Sequence, residues 1–453
     1  MRKIFVLTIC LVAAWIQPAL AARHANVILI VVDTLRADHL GFMGGRRGVS
    51  PNIDALAADS VVFRHATATA SWTSPAIGSM VTAQFPRTLG FKDHELIPLD
   101  PRFMNIAQVF QGAGYATGGI VSHDLVSKHH GFGRGFGYWD DHNAQGHDHV
   151  SSPDVTDKAI GFVRRHAGGP FYLFLHYFDP HYTFIMHQEF NWNPGYRGPL
   201  PDKIEIKPVW DMAAAGRLTP EDLKHLLAVY DSEISFTDRH LGRLMAELKA
   251  LGIYDDTLVV LTADHGEEFV DRDDGYIGHG RSTHREMIHV PLTLKFPRSH
   301  PLAGPRTFDQ RVSLVDLGPT LLASQGLGFP SDYRHAGRDL FPGGRLDKAR
   351  RRAVVSETTM RVRDISVTAG EWKLLLDLNA KSARLYNLAL DPDERRDLAA
   401  TWPDKVRELK TAMAKWERNL ERLEGPGRRS GPAPAQPRFS PEQRERLRSL
   451  GYL

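Results

Sequence analysis

Several side chains able to hold a metal ion or move a proton stand at the ends of apolar runs. Residues 27–32 are an unbroken run of Val, Ile and Leu closed by Asp33. Thr257–Ala263 is a second run, closed by Asp264-His265-Gly266-Glu267-Glu268. His123 follows the run 115–121, and Asp179 and His181 follow the run 171–178. Carboxylate oxygens with an imidazole suit a divalent metal, and histidine near its ordinary pKa suits proton transfer. Asp33 alone reads equally as a turn carboxylate ahead of a helix. A second strand delivering Asp264 and His265 shifts the balance toward a metal site, because an unpaired charge emerging from a dry strand is costly. His279 and His284 form a further pair in Gly278-His279-Gly280-Arg281-Ser282-Thr283-His284. Taken singly, each histidine reads as structural or exposed. The shared placement after apolar strands is what groups them.

The elements that must position these residues follow from the same pattern. A continuous apolar run without polar alternation reads as a strand buried on both faces. In open α/β sheets, chemistry gathers at the carboxyl ends of such strands. Helical segments lie between them. Ser50-Pro51-Asn52 starts a short helix, and residues 104–110 read as helical. Thr219-Pro220-Glu221-Asp222 is a strong helix start, with Thr219 as N-cap, and Gly252 is the stop. Strands alternating with helices predict an α/β fold: a large, mostly parallel sheet sandwiched by helices. Residues 182–218, with Trp192, Tyr196 and Trp210, read as a long loop of the kind that shapes a substrate pocket. From 351 to 388, short alternating segments and turns predict a smaller antiparallel sheet, followed by a helix from near Pro403.

Length and composition bound the function. The 453 residues suffice for one large α/β domain plus a smaller one. A net charge of +3 gives no nucleic-acid footprint. Arg2 and Lys3, the apolar stretch 4–16 and Ala19-Leu20-Ala21 read as a cleaved signal peptide, which predicts a secreted or periplasmic protein. The single cysteine, Cys10, lies inside that segment, and no later segment is apolar enough to cross a bilayer. The expected division is a signal peptide over 1–21, a catalytic domain over 22–345, an α+β subdomain over 346–424, and a Pro/Gly-rich linker with a short terminal helix over 425–453.

Val31-Val32-Asp33-Thr34-Leu35-Arg36-Ala37-Asp38, Ser50-Pro51-Asn52-Ile53-Asp54-Ala55-Leu56-Ala57, Thr262-Ala263-Asp264-His265-Gly266-Glu267 and His289-Val290-Pro291-Leu292 occur in that order. Together they resemble the sulfatase family, within the alkaline phosphatase superfamily. Leu385-Tyr386-Asn387-Leu388 with Asp391-Pro392-Asp393-Glu394 resembles its C-terminal subdomain. The resemblance covers nearly the whole chain from Asn26. It implies an alkaline-phosphatase-like fold, hydrolysis of a sulfuric or phosphoric ester, and a nucleophile at a helix N-terminus beside one divalent metal, calcium in the family.

The family's nucleophile signature is Cys or Ser, any residue, Pro, any residue, Arg. Here it reads Thr73-Ser74-Pro75-Ala76-Ile77. Thr73 replaces the residue that becomes formylglycine and Ile77 replaces the Arg, so no formylglycine is expected. A threonine carbon carries no second oxygen, so an ester formed on Thr73 must be hydrolysed directly, which favours phosphorus. Thr73 also reads as a plain N-cap.

Residue by residue, the resemblance implies that Asp33, Asp264, His265 and Thr73 bind the metal, with Thr73 as nucleophile. Thr34 replaces a second Asp, which weakens the case for calcium and admits manganese or zinc. His181 matches a histidine that protonates the leaving group. His123 matches one in a Lys-x-His element whose lysine position holds Val121. His279 takes the place of an anion-binding lysine, with Arg281 as a compensating substrate-binding cation. A second metal would draw on Asp179, His181 and His279, although their spacing matches poorly. His129, His130 and His284 read as exposed. The expected partner is a small or polymeric anionic ester. Two other readings stay open: a phosphoryl-group transferase acting on a lipid or glycan, and an inactive binding protein on the same scaffold.

Overall fold

The computed structural model describes residues 25–424 apart from 92–96, 146–149, 273–274, 348–351, 359 and 361–362, together with Pro441 and Arg444. The expected signal peptide and linker, and the expected terminal helix apart from Pro441 and Arg444, lie outside the described residues. Among the described residues, nine strands form the large sheet: β1 (Asn26–Val32), β2 (Val61–Thr67), β3 (Ala116–Val121), β4 (Tyr138–Asp140), β5 (Phe171–Tyr177), β6 (Thr257–Ala263), β7 (His289–Val290), β8 (Leu292–Lys295) and β9 (Arg306–Ser313). Their order is β7-β2-β8-β6-β1-β5-β3-β4, with β9 beside β2. The central run from β6 through β1, β5 and β3 to β4 is parallel, and β8 pairs antiparallel with both β6 and β2.

Strands β1, β5 and β6 are buried along their whole length. This is the outcome a β-branched, unalternating run demands when both sheet faces are covered. Their register sets the site. Val32 lies opposite Tyr177 on one side and Ala263 on the other, so Asp33 and Asp264 leave the sheet edge side by side.

Helices flank this sheet. α1 (Thr73–Thr82) is buried throughout, α2 (Ser152–His166) follows β4, and α3 (Pro220–Ala250) is the long helix that leads into β6. Thr219 caps α3 as its sequence requires: the Thr219 hydroxyl accepts from Asp222 N–H and the Asp222 side chain accepts from Thr219 N–H. The 182–218 segment is more ordered than its composition suggests. Phe184–Ile185 pairs with Lys203–Ile204, and Ile206–Ala214 is a helix. Apolar Ile204, Ile206 and Val209 are buried, which supplies the packing that a free loop lacks.

The smaller sheet is the expected antiparallel meander, β10 (Val354–Thr358), β11 (Asp364–Ala369), β12 (Trp372–Asp377) and β13 (Ser382–Asn387), with α4 (Pro403–Glu424) packed on it. A buried polar cluster ties this sheet to the segment between β6 and β7. Lys373 Nζ donates to Glu394 Oε1 at 2.7 Å and to the Thr283 carbonyl at 2.6 Å, while His284 Nδ1 lies 2.8 Å from Glu394 Oε2. His284 is therefore a buried junction residue, contrary to its expected exposure. His130 is buried too, its Nδ1 bonded to the Asp124 carbonyl, whereas His129 is exposed.

Burial alone would raise the Glu394 carboxyl, but Lys373 and His284 outweigh it and hold it at about 2. The lock therefore contributes fully above the ordinary value of 4.5 and is lost as pH falls toward 2. Lys373→Met should cost about 3–5 kcal/mol in urea unfolding at pH 7, because it strands a buried carboxylate. The difference from the parent chain should shrink between pH 4.5 and 2; a pH-independent difference would show that packing alone is at stake.

Candidate active site

Asp33, Thr73, Asp264 and His265 meet at the carboxyl ends of β1 and β6. All four are fully buried. Asp264 Oδ1 accepts from the N–H groups of His265 at 2.8 Å and Thr34 at 3.3 Å, which fixes the carboxylate and leaves Oδ2 facing inward. Neither oxygen of Asp33, nor Asp264 Oδ2, has a hydrogen-bond partner. Burial pushes both carboxyls up, and for Asp33 the neighbouring Asp264 and Glu267 push further. Buried, unsatisfied carboxylate oxygens of this kind call for a cation. The residues present therefore fit a divalent metal, with Asp33, Asp264 and His265 as the groups to hold it.

His265 is oriented for that task. Its Nδ1 donates to the Gly266 carbonyl at 2.9 Å, so Nε2 carries the lone pair. Nε2 lies 3.6 Å from Asp33 Oδ1 and 3.4 Å from Asp264 Oδ2. The Thr73 hydroxyl donates to the same nitrogen at 3.3 Å. Thr73 is the first helical residue of α1, with Trp72 in the cap position, and its hydroxyl makes no capping bond. The N-cap reading of Thr73 thus gives way: its oxygen is turned out of the helix toward His265.

Three more histidines ring the pocket. His181 Nδ1 donates to the Tyr182 carbonyl at 2.6 Å, which points Nε2 away from the backbone. His123 Nδ1 accepts from Leu125 N–H at 3.1 Å, so its Nε2 carries the proton, 4.0 Å from Asp33 Oδ2. His279 Nδ1 donates to the Glu267 carboxylate at 3.2 and 3.3 Å. Its ring sits 4.6 Å from that of His265 and 4.8 Å from that of His181, with Tyr182 stacked on it. Thus His123, His181 and His279 are brought together with the carboxylates.

Arg281 is not packed among them. Its guanidinium lies over the Tyr276 ring at 4.9 Å and lines an outer cleft of about 450 Å³ together with Glu268, Arg384, Tyr386 and Arg395. Asp179 is also diverted. It accepts from Ser151 and Ser152 N–H and from both hydroxyls, at the N-terminus of α2. A carboxylate so occupied is no ligand, so the second-metal set of Asp179, His181 and His279 does not form.

Two site residues escape the sequence pattern. Glu267 is visible in Asp264-His265-Gly266-Glu267, but its partner His279 stands twelve residues on. His176, inside β5, is fully buried with its Nε2 3.5 Å from Asp33 Oδ2. The one hint was a lone polar residue in the run Phe171–Tyr177.

The family model described as Sulfatase matches residues 25–327. Arylsulfatase K of Rattus norvegicus is 24% identical over 438 residues, covering 84% of this chain and 76% of the relative. Among solved structures, a protein in complex with its substrate D-glucosamine-2-N,6-O-disulfate superposes with a TM-score of 0.73 at 19% identity, over 90% of this chain and all of that one. The phosphonate monoester hydrolase of Agrobacterium radiobacter superposes with a TM-score of 0.70 at 21% identity, over 86% and 96%.

Proposed function

This chain belongs to the sulfatase family, and from that premise we propose that it is an exported, metal-dependent hydrolase of sulfate or phosphate esters whose nucleophile is Thr73. One observation carries the reading: a buried threonine hydroxyl, free of helix capping, lies 3.3 Å from His265 Nε2 beside the unsatisfied oxygens of Asp33 and Asp264. A divalent ion held by Asp33, Asp264 and His265 supplies Lewis acidity, which lowers the pKa of the Thr73 hydroxyl and offsets charge on the transferring group.

The chain's own groups supply the rest. The Thr73 oxygen, its proton released to water, bonds to the sulfur or phosphorus as the bond to the leaving oxygen breaks, and His181, protonated on both ring nitrogens with Nδ1–H held by the Tyr182 carbonyl, gives its Nε2 proton to that oxygen. Water then attacks the same centre as the bond to the Thr73 oxygen breaks, one of its protons returning to His181, which releases the inorganic anion and restores both residues. His279, held by Glu267, and His123, with its proton on Nε2, serve the ester's remaining oxygens. Arg281, Arg384 and Arg395 offer cations to the rest of an anionic substrate in the outer cleft, whose lining also carries Glu268, Asp364, Asp377 and Asp397. The apolar segment 4–16 with Ala19-Leu20-Ala21 supports export, and no helix among the described residues is long and apolar enough to cross a membrane.

Because Thr73 lacks the second oxygen that lets a formylglycine hydrate expel sulfate, phosphorus is the favoured centre. The test is turnover of an aryl phosphodiester, monoester and sulfate by the mature protein with manganese, zinc or calcium. Metal-dependent phosphoester turnover exceeding that of the sulfate is expected. Faster sulfate turnover would overturn the preference for phosphorus. No turnover, with no metal retained, would instead favour a binding protein on this scaffold.

A further inference from the structure

His176 has no place in the chemistry above, and its surroundings are unusual. It sits between Leu175 and Tyr177 in a strand otherwise built of aromatic and aliphatic residues, and it is fully buried. Neither ring nitrogen has a hydrogen-bond partner. A buried polar group left unsatisfied costs about 1–3 kcal/mol, so a histidine is a poor choice here unless something completes it. The register explains what it faces. His176 lies opposite Val31, and in a parallel pair such neighbours point to the same side, which is also the side of Asp33 two residues on.

We infer that His176 is a further ligand of the metal held by Asp33, Asp264 and His265, and that this second imidazole sets the site's preference for zinc or manganese over calcium. The inference rests on the proposed metal site and deepens it. Its geometry is consistent. The candidate ligand atoms of Asp33, His176 and Asp264 lie within 4.8 Å of one another. Two atoms held tetrahedrally at about 2.1 Å from one metal stand about 3.4 Å apart. The observed separations are 3.5 Å from His176 Nε2 to Asp33 Oδ2, and 3.6 Å and 3.4 Å from His265 Nε2 to Asp33 Oδ1 and Asp264 Oδ2, so the two imidazoles face different oxygens of an Asp33 carboxylate that would bridge them through the metal.

The ligand atoms of Asp33, His123 and His181 also lie within 4.8 Å of one another, yet His123 does not compete for this role. Its Nδ1 is committed as an acceptor to Leu125 N–H, so its Nε2 bears a proton and not a lone pair. Both nitrogens of His176 are uncommitted, so the tautomer with a free Nε2 lone pair costs it nothing. Two imidazoles with two carboxylates form a borderline donor set, which suits zinc or manganese, whereas calcium takes oxygen ligands in greater number.

The test counts coordinated nitrogens. The full chain is stripped by a chelator, reloaded with Mn²⁺ and examined by electron spin-echo envelope modulation, a measurement that needs no variant. Couplings from two imidazole ¹⁴N nuclei are expected; one alone, His265, would overturn the inference while leaving the metal site standing. In parallel, His176→Leu should weaken Zn²⁺ affinity by about 10–100-fold, the scale seen when groups around a metal are removed. Ca²⁺ affinity should be little changed. A His176→Leu chain that binds Zn²⁺ as tightly as the parent would also overturn it. If the parent chain takes up no stoichiometric metal, the underlying site reading fails first, and the inference with it.

Discussion

Thr73→Ala is expected to lower kcat by about 10³-fold or more, the scale seen when a nucleophile is deleted from an assembled site. The protein should keep its fold. Thr73 is the first residue of α1 and makes no capping bond, so the helix loses no hydrogen bond with the side chain. Asp33, Asp264, His181 and His279 remain in place, and any residual rate would report their electrostatic contribution alone. Thr73→Ser is the control, since it keeps the oxygen and loses only a methyl group. Its turnover should lie far closer to the parent's than to that of Thr73→Ala. Steady-state rates with a saturating aryl phosphodiester, alongside circular dichroism of each variant, decide the matter. Equal rates for the Ala variant and the parent would remove Thr73 from the chemistry.

The second large effect concerns the ion. Stripping the protein with a chelator should abolish turnover and lower Tm, and adding back the divalent metal should restore both. Asp33 and Asp264 are buried with inward oxygens unsatisfied, and their mutual repulsion opposes folding whenever both are ionised. An ion that binds only the folded state at a hundred times its Kd adds about 2.7 kcal/mol.

Asp264→Asn separates this from a general salt effect. Its oxygen can still accept from Thr34 and His265 N–H, while the like-charge contact with Asp33 is gone. The variant's metal-free form should melt higher than the metal-free parent, and added metal should no longer raise its Tm. Calorimetry on both proteins reads the two shifts directly. A variant that melts lower in both forms would mean that the carboxylates are structural and not held apart for a cation.

Much of this site is legible in the sequence. Apolar runs ending in Asp33 and Asp264-His265 announce buried parallel strands, because only a strand covered on both faces tolerates such composition. The order of motifs around them resembles one family, and the Thr219 cap, the long helix and the C-terminal meander follow from local rules. Those features share one property: each is decided by residues close together in the chain.

What the tertiary structure alone decided is which polar side chains meet, and that depends on register and on partners far away in sequence. His176 looks like an exception inside a core strand until pairing with β1 sets it beside Asp33. Asp179 looks like a strand-end ligand until α2, which starts 27 residues earlier, consumes its oxygens. His284 looks exposed until Glu394, 110 residues later, reaches it across the subdomain junction. The histidines of this pocket share one side chain and differ in role because a neighbouring carbonyl, amide or carboxylate decides which ring nitrogen keeps its proton.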